Sequence, residues 1–103
     1  MSFIVDNLFK KGVIMSVIYI TKMVPKPGKR EELEKSFEAA KAFPGLLKFE
    51  AYRSEDGNTI VCVEEWKDQA SIDEFFTSWT QQERDEWLAL LAQEPEYATY
   101  NKV

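Results

Sequence analysis

Residues 46–66 read LLKFEAYRSEDGNTIVCVEEW, and this stretch decides the fold. Thr59 to Trp66 is rich in β-branched residues, which favour strands, and Leu46 to Arg53 contributes the aromatic residues Phe49 and Tyr52. Residues 55–58 between them contain Asp-Gly, a strong signal for a hairpin turn. The segment therefore predicts two antiparallel strands joined by a tight turn.

In the second strand of this hairpin, the polar and aromatic residues that could form a site are predicted to share one face. Side chains alternate along a strand, so two sets of residues point to opposite faces. One set is Ile60, Cys62, Glu64 and Trp66, and the other is Val61, Val63 and Glu65. A carboxylate and an indole two residues apart are thus predicted to lie on the same face of a sheet.

The sequence before the hairpin predicts a strand and a helix. Val17 to Val24 is β-branched and aromatic, and residues 25–28 (PKPG) end it. Lys29 to Phe43 has apolar side chains at helical spacing and a charged opposite side, and Pro44-Gly45 ends this helix.

The sequence after the hairpin predicts two helices and a last strand. Either Asp68 or Ser71 caps the first of these helices, since both residue types accept hydrogen bonds from a helix start. Thr80 and Glu83 match a capping box for a second helix from Gln81 to Gln93, and Tyr97 to Lys102 reads as a strand.

Without the extra helix, this order is the split βαβ pattern of ferredoxin-like α+β domains. Right-handed crossovers then give a four-stranded antiparallel sheet with helices on one face. The other face keeps apolar residues without a cover, which marks an interface in so small a domain. We therefore expect a homodimer in which two copies pair through their sheet faces as an α+β barrel.

The composition excludes several classes of function. The chain has 103 residues, a net charge of −5, one cysteine and no histidine. Ser-His-Asp catalysis, histidine-ligated metal sites and an intramolecular disulfide are thereby excluded. The acidic charge disfavours nucleic-acid binding, the absence of a long apolar run disfavours a membrane span, and the cysteine count suits the cytoplasm.

The N-terminus allows two interpretations. Residues 1–14 precede Met15, where the strand pattern begins. Lys11-Gly12-Val13 can be encoded by a purine-rich nucleotide run that resembles a bacterial ribosome-binding site. Translation therefore starts at Met15 in one hypothesis, and the domain comprises residues 15–103. In the other hypothesis residues 1–14 are a real arm that packs on the domain or a partner. Mass spectrometry of native protein distinguishes them.

Three motifs together resemble the antibiotic biosynthesis monooxygenase family of the dimeric α+β barrel superfamily. They are Lys26-Pro27-Gly28-Lys29, Phe43-Pro44-Gly45 and Val63-Glu64-Glu65-Trp66. The resemblance implies a pocket between sheet and helices in each subunit. It also implies oxygenation of a small aromatic, phenolic or quinol-like molecule, without metal, flavin or another cofactor. Many relatives place a histidine where this chain has Phe75, and the residues of the haem-degrading branch are absent.

Candidate site residues follow from these strand faces and helix stripes. Glu64, Tyr19 and Tyr52 are the catalytic candidates, because a buried carboxylate can accept a proton and a tyrosine hydroxyl can bind a phenolate. The candidates for substrate binding are Thr21, Phe37, Trp66, Phe75 and Trp79. For each there is a structural alternative: a hydrogen-bonded structural glutamate, tyrosines at an interface, and aromatic core. Cys62 is expected to be a buried, unreactive thiol.

Two functions remain open at this stage. The first is a cofactor-independent monooxygenase, and the second is a non-catalytic domain of the same fold that binds a small ligand or a partner. The pocket discriminates between them. A pocket filled by Phe75, Trp79 and Trp87 would make catalysis implausible, whereas an open one that contains Glu64 or a tyrosine hydroxyl would favour it.

Overall fold

A computed structural model describes residues 16–103, and the predicted N-terminal extension of residues 1–14 lies outside them. The described chain has eight elements in sequence order. They are β1 (Val17–Met23), α1 (Arg30–Lys35), α2 (Glu38–Lys41), β2 (Leu46–Arg53), β3 (Ile60–Trp66), α3 (Gln69–Thr77), α4 (Gln81–Leu88) and β4 (Glu96–Asn101). The predicted α+β class and its ferredoxin-like order are confirmed.

The four strands form one sheet in the order β2-β3-β1-β4, and every neighbouring pair is antiparallel. The predicted hairpin is present, and Gly57 in its turn has a φ of +75°, a conformation that glycine adopts without strain. The central strands β1 and β3 align Val17 with Trp66 and Met23 with Ile60. This register places the alternating side chains of both strands on shared faces.

The helices cover one face of the sheet and enclose the core. Two clusters of buried side chains lie there, one around Leu33 and Ile60 and the other around Trp66 and Ile72. At 0% exposure Trp66 is completely enclosed. None of the helices among residues 16–103 is long and apolar enough to span a bilayer.

The first predicted helix, Lys29 to Phe43, is interrupted in the structure. It forms α1 and α2 as separate short helices, and Ser36 and Phe37 lie between them. The Ser36 hydroxyl donates to the Leu33 carbonyl, and the Phe37 amide donates to the Glu34 carbonyl three residues back. These tight turns replace regular helical hydrogen bonds, so a continuous helix was the wrong prediction here.

The helix caps settle the question left open at the start of α3. Asp68 is the N-cap, because its Oδ1 accepts from the Ser71 amide at 2.8 Å. The predicted capping box of Thr80 and Glu83 is present at the start of α4. That helix ends at Leu88, five residues before the predicted Gln93.

The segment after α4 turns back to the end of β1. Pro25 and Leu91 form an isolated bridge, the Lys26 amide donates to the Leu90 carbonyl at 2.8 Å, and the Ala92 amide donates to the Val24 carbonyl at 2.7 Å. This set of contacts, the β1–α4 clasp, fixes the end of α4 against the sheet.

Candidate functional site

A pocket of about 370 Å³ lies between the helix-covered sheet face and the helices. Most of its lining is apolar and comes from Met23, Phe37, Ala40, Phe49, Cys62, Phe75, Phe76, Trp79, Trp87 and Leu88. The polar lining residues are Tyr19, Thr21, Ser36, Glu64, Arg84 and Tyr97. A mostly apolar cavity with few polar groups is typical of small-molecule sites.

The register of three strands brings the polar floor of the pocket together. Tyr19 of β1 lies directly opposite Glu64 of β3. Thr21, two residues further along β1, lies between Cys62 on one side and Tyr97 of β4 on the other. Hydroxyl, carboxylate and thiol groups therefore come from three adjacent strands on one face.

Glu64 is the acidic group of this floor. It is only 8% exposed, and its Oε1 accepts a hydrogen bond from the Trp66 indole Nε1 at 2.8 Å. Residues 16–103 form no hydrogen bond to Oε2, and no fully buried side-chain oxygen in this part of the chain lacks a partner. Oε2 is therefore the oxygen of this carboxylate that can still accept a hydrogen bond, and Glu64 lines the pocket.

Burial raises the pKa of Glu64 above its ordinary value, and the Trp66 hydrogen bond opposes part of that rise. The direction follows from the cost of placing a charged carboxylate in an apolar cavity. The pKa of this carboxylate is therefore closer to neutral pH than that of an exposed glutamate. A general base is most effective when its pKa lies near the pH at which it works.

Tyr19 supplies a protonated hydroxyl beside this carboxylate. Burial raises the pKa of Tyr19, and the nearby Tyr97 and Glu64 raise it further. The rings of Tyr19 and Tyr97 stack with centroids 5.7 Å apart. At neutral pH the Tyr19 hydroxyl therefore stays neutral, so it can donate a hydrogen bond to a ligand oxygen.

Cys62 faces the same pocket but is a poor nucleophile. Burial raises its pKa to about 12, so the thiol remains protonated at neutral pH. The expected burial of this cysteine is confirmed.

The pocket walls are aromatic and contact one another. Phe75 packs against Trp66 and Trp79 with ring centroids 5.5 Å and 5.6 Å apart. Trp79 in turn contacts Trp87 at 6.4 Å. These rings border the cavity without filling it, because the open volume beside them still reaches Glu64 and Tyr19.

The structure brings together six of the eight candidate residues. They are Tyr19, Thr21, Phe37, Glu64, Phe75 and Trp79, all of which line the pocket. Trp66 lies beneath the floor, where it contacts Glu64 instead of the cavity. Tyr52 lies opposite Val61, on the sheet face without helices, and is 53% exposed. It is therefore outside this pocket.

Sequence reasoning missed three polar lining residues, Ser36, Arg84 and Tyr97. Arg84 resembles a solvated charge on α4 when it is considered alone. A signal was nevertheless present, because Arg84, Trp87 and Leu88 share a helix face at spacings of three and four residues.

Potential metal ligands are sparse in the described part of the chain. Residues 16–103 contain no group of three or more histidine, cysteine, aspartate or glutamate side chains placed to hold one ion. The pocket floor offers one carboxylate, one thiol and three hydroxyls.

Comparison of the sequence with models of protein families shows which family the chain belongs to. A family model described as antibiotic biosynthesis monooxygenase matches residues 16–93, which include every strand but β4 and all pocket residues except Tyr97. The chain belongs to the antibiotic biosynthesis monooxygenase family. A sequence comparison with curated proteins found no match.

Solved structures share the antibiotic biosynthesis monooxygenase fold at low sequence identity. A conserved protein from Methanosarcina mazei Go1 is 22% identical, with a TM-score of 0.73 over 91% of this chain and 99% of that one. SnoaB, a cofactor-independent oxygenase from Streptomyces nogalater, is 14% identical, with a TM-score of 0.70 over 86% and 94%. The ActVA-Orf6 monooxygenase of Streptomyces coelicolor, solved with Nanaomycin D, is 19% identical, with a TM-score of 0.66 over 87% and 88%.

Proposed function

We propose that this protein is a cofactor-independent monooxygenase that oxidises a small aromatic phenol or quinol-like molecule in the pocket between sheet and helices. One observation carries the proposal: Glu64 lines an aromatic cavity, and its Oε1 atom is held by Trp66 while its Oε2 atom accepts no hydrogen bond from residues 16–103. Family membership and the cofactor-independent oxygenase SnoaB support the same reaction class.

In the proposed reaction Glu64 accepts the phenol proton and the electron-rich ring reacts with O₂. A ring carbon is oxidised as its bond to oxygen forms, Glu64 returns the proton to the resulting peroxide anion, and the hydroperoxide then loses water to give the quinone. One oxygen atom of O₂ enters the product and the other leaves in that water. The protein has to bind the ring, accept the proton and exclude solvent, which is what an apolar pocket provides.

Tyr19 and Thr21 are proposed to orient the substrate oxygen beside Glu64. Both lie on β1 in the pocket floor, and the Tyr19 hydroxyl stays protonated because burial raises its pKa. A neutral donor stabilises the phenolate as it forms, in the manner of an oxyanion site. Phe37, Phe75 and Trp79 are proposed to hold the ring through aromatic contacts.

Oxygen consumption across a panel of hydroquinones and polycyclic phenols tests this proposal, with and without a metal chelator. We expect turnover to a quinone that the chelator leaves unchanged, and at least a 100-fold loss of rate in Glu64→Gln. Glu65→Gln is the matched control, because it removes a carboxylate from the same strand but from the opposite face. Equal turnover by Glu64→Gln and wild type would remove Glu64 from the mechanism.

The second candidate is a domain that binds a small ligand without oxidising it. It is favoured by Phe75, which stands where the family resemblance implies a histidine and packs among Phe43, Trp66 and Trp79. Saturable binding of the panel compounds with no oxygen consumption would establish this alternative in place of the first.

We also propose that two copies pair through the face of the sheet that carries no helices. Ile18, Ile20, Val61 and Val63 lie there, and each remains only partly buried within one chain. Tyr100, the neighbour of Ile18 in β4, is 56% exposed. An apolar surface of this kind is stabilised when a second copy covers it.

A further inference from the structure

Arg84 introduces a cation at the solvent side of the pocket. It is the single lysine or arginine in the cavity lining, and its side chain is exposed on α4. No ion pair among residues 16–103 includes it, although six other basic residues of this segment form such pairs. Its positive charge is therefore available to a ligand.

One hydrogen bond restrains this side chain. Arg84 Nη2 donates to the Phe76 carbonyl, in the last turn of α3, at 2.7 Å. A guanidinium has five N–H donors, so most of them remain free. Because the side chain is already restrained, less conformational entropy is lost when it binds a ligand.

The two ends of the pocket differ in charge and in burial. Glu64 is enclosed at the floor and accepts hydrogen bonds, whereas Arg84 is exposed at the mouth and donates them. Phe76 links these ends, because its ring lies 5.5 Å from that of Tyr19, the residue opposite Glu64, and its carbonyl accepts from Arg84. A ligand that satisfies both ends carries a hydroxyl on one side of an aromatic body and an anion on the other.

We propose that the pocket selects aromatic hydroxy acids, with the ligand hydroxyl at Glu64 and its carboxylate at Arg84. This deepens the proposed function, on which it rests, by naming the substrate class. A guanidinium matches a carboxylate because its planar fork donates two parallel hydrogen bonds. Glu64 repels the same carboxylate at the floor, so the ligand enters in one orientation.

Calorimetric titration with three matched probes tests the proposal on the full chain under anaerobic conditions. The probes are 6-hydroxy-2-naphthoic acid, its methyl ester and 2-naphthol. Hydrogen bonds to charged groups stabilise by about 1.5–3 kcal/mol, so we expect the acid to bind roughly 10- to 100-fold more tightly than the ester. Added salt should weaken binding of the acid and leave that of the ester unchanged.

Variants of Arg84 identify the group responsible for this preference. Arg84→Gln should bind all three probes with nearly equal affinity, and Arg84→Lys should restore part of the preference because it keeps the charge without the fork. Arg30→Gln is the matched control, because it removes the same charge from α1, outside the pocket lining. Unchanged thermal midpoints would show that these variants remain folded.

The outcomes separate this inference from the proposed function. Equal binding of acid and ester by the wild type, or a preference that survives in Arg84→Gln, would overturn the inference even if 2-naphthol consumes oxygen. An Arg84-dependent preference without oxygen consumption would support the inference and contradict the proposed function. Failure of all three probes to bind would overturn the assignment of the ligand class.

Discussion

Glu64 and Glu65 are neighbours in β3, yet their pKa values are shifted in opposite directions because their side chains lie on opposite faces of the sheet. Burial raises the pKa of Glu64 on the helix-covered face. On the open face, hydrogen bonding with Ser16 and Lys102 lowers the pKa of Glu65. One residue of offset along a strand thus separates a carboxylate suited to accept a substrate proton from one that stays charged in solvent.

The same contrast holds for the apolar residues of the two faces. Ile60 and Trp66 are fully buried by the chain's own helices, whereas Val61 and Val63 between them remain partly accessible. On the helix-covered face, the central residues of β3 are therefore buried within one chain. The open face still has apolar surface that a partner can bury.

The largest expected effect is on the helix-covered face. Replacing Trp66 by Ala should lower the free energy of unfolding by about 3–5 kcal/mol, because it leaves a cavity and removes the hydrogen-bond donor to Glu64. Urea denaturation at fixed protein concentration measures it. Trp66→Phe, which leaves a smaller cavity, should cost less. A loss below about 1 kcal/mol for Trp66→Ala would contradict the role of this side chain in the core.

The next effect concerns the open face. Val63→Lys places a charge among Ile20 and its apolar neighbours and should weaken the proposed dimer by about 100-fold. Sedimentation at decreasing protein concentration measures the dissociation constant. Gln82→Lys adds the same charge on the exposed surface of α4 and should leave the dimer intact. If Val63→Lys has the same mass distribution as wild type, the open face is not the dimer interface.

The pH dependence of stability should differ in sign between the two glutamates. A raised pKa means that the folded chain binds more protons, so Glu64 lowers stability as pH rises from its ordinary pKa through the folded-state value. The lowered pKa of Glu65 has the opposite consequence, because its stabilisation is lost as pH falls through the folded-state value.

Urea titrations between about pH 3 and pH 8 test this difference. Relative to wild type, Glu64→Gln should become more stable as pH rises, and Glu65→Gln should become less stable. The glutamine side chain still accepts from the Trp66 indole, so the Glu64→Gln comparison isolates the charge. Parallel pH profiles for the two variants would refute the contrast between the faces.

The smallest effect is expected for an ion pair on the open face. Lys102 Nζ lies 3.4 Å from Glu65 Oε2, and the lysine is well exposed. Exposed pairs contribute little because solvent and salt screen them, so Lys102→Met should change stability by less than about 0.5 kcal/mol. A change well above 1 kcal/mol in the same urea assay would show that a partner surface encloses this pair.

The sequence predicts β2 and β3 well because their signals are local. Burial alternates from residue to residue along β3, and Gly57 supplies the positive φ of the turn that joins it to β2. The signal for the interruption at Ser36 is weaker, because a serine hydroxyl can bond to a carbonyl of the preceding turn without breaking a helix. The interruption depends on where Leu33 and Phe37 pack, which only the tertiary structure determines.

The candidate site was predictable only to the level of a strand face. Alternation places Glu64 and Trp66 together, but it does not reveal that Tyr19 lies opposite Glu64 or that Tyr97 lies next to Thr21. Those neighbours depend on the register between strands that are distant in sequence. Tyr52 shows the same limit, because its strand was predicted correctly while its position relative to the pocket was not.

The β1–α4 clasp has a consequence for how fast the pocket exchanges its contents. The amides of Lys26 and Ala92 donate to Leu90 and Val24 at 2.8 Å and 2.7 Å, so lifting the end of α4 requires these hydrogen bonds to open. Such local unfolding takes microseconds or longer, whereas exposed side chains change rotamer within nanoseconds. If both amides exchange slowly with solvent while a ligand binds quickly, the ligand enters past the exposed side chains of Phe76 and Tyr97 and the clasp stays closed.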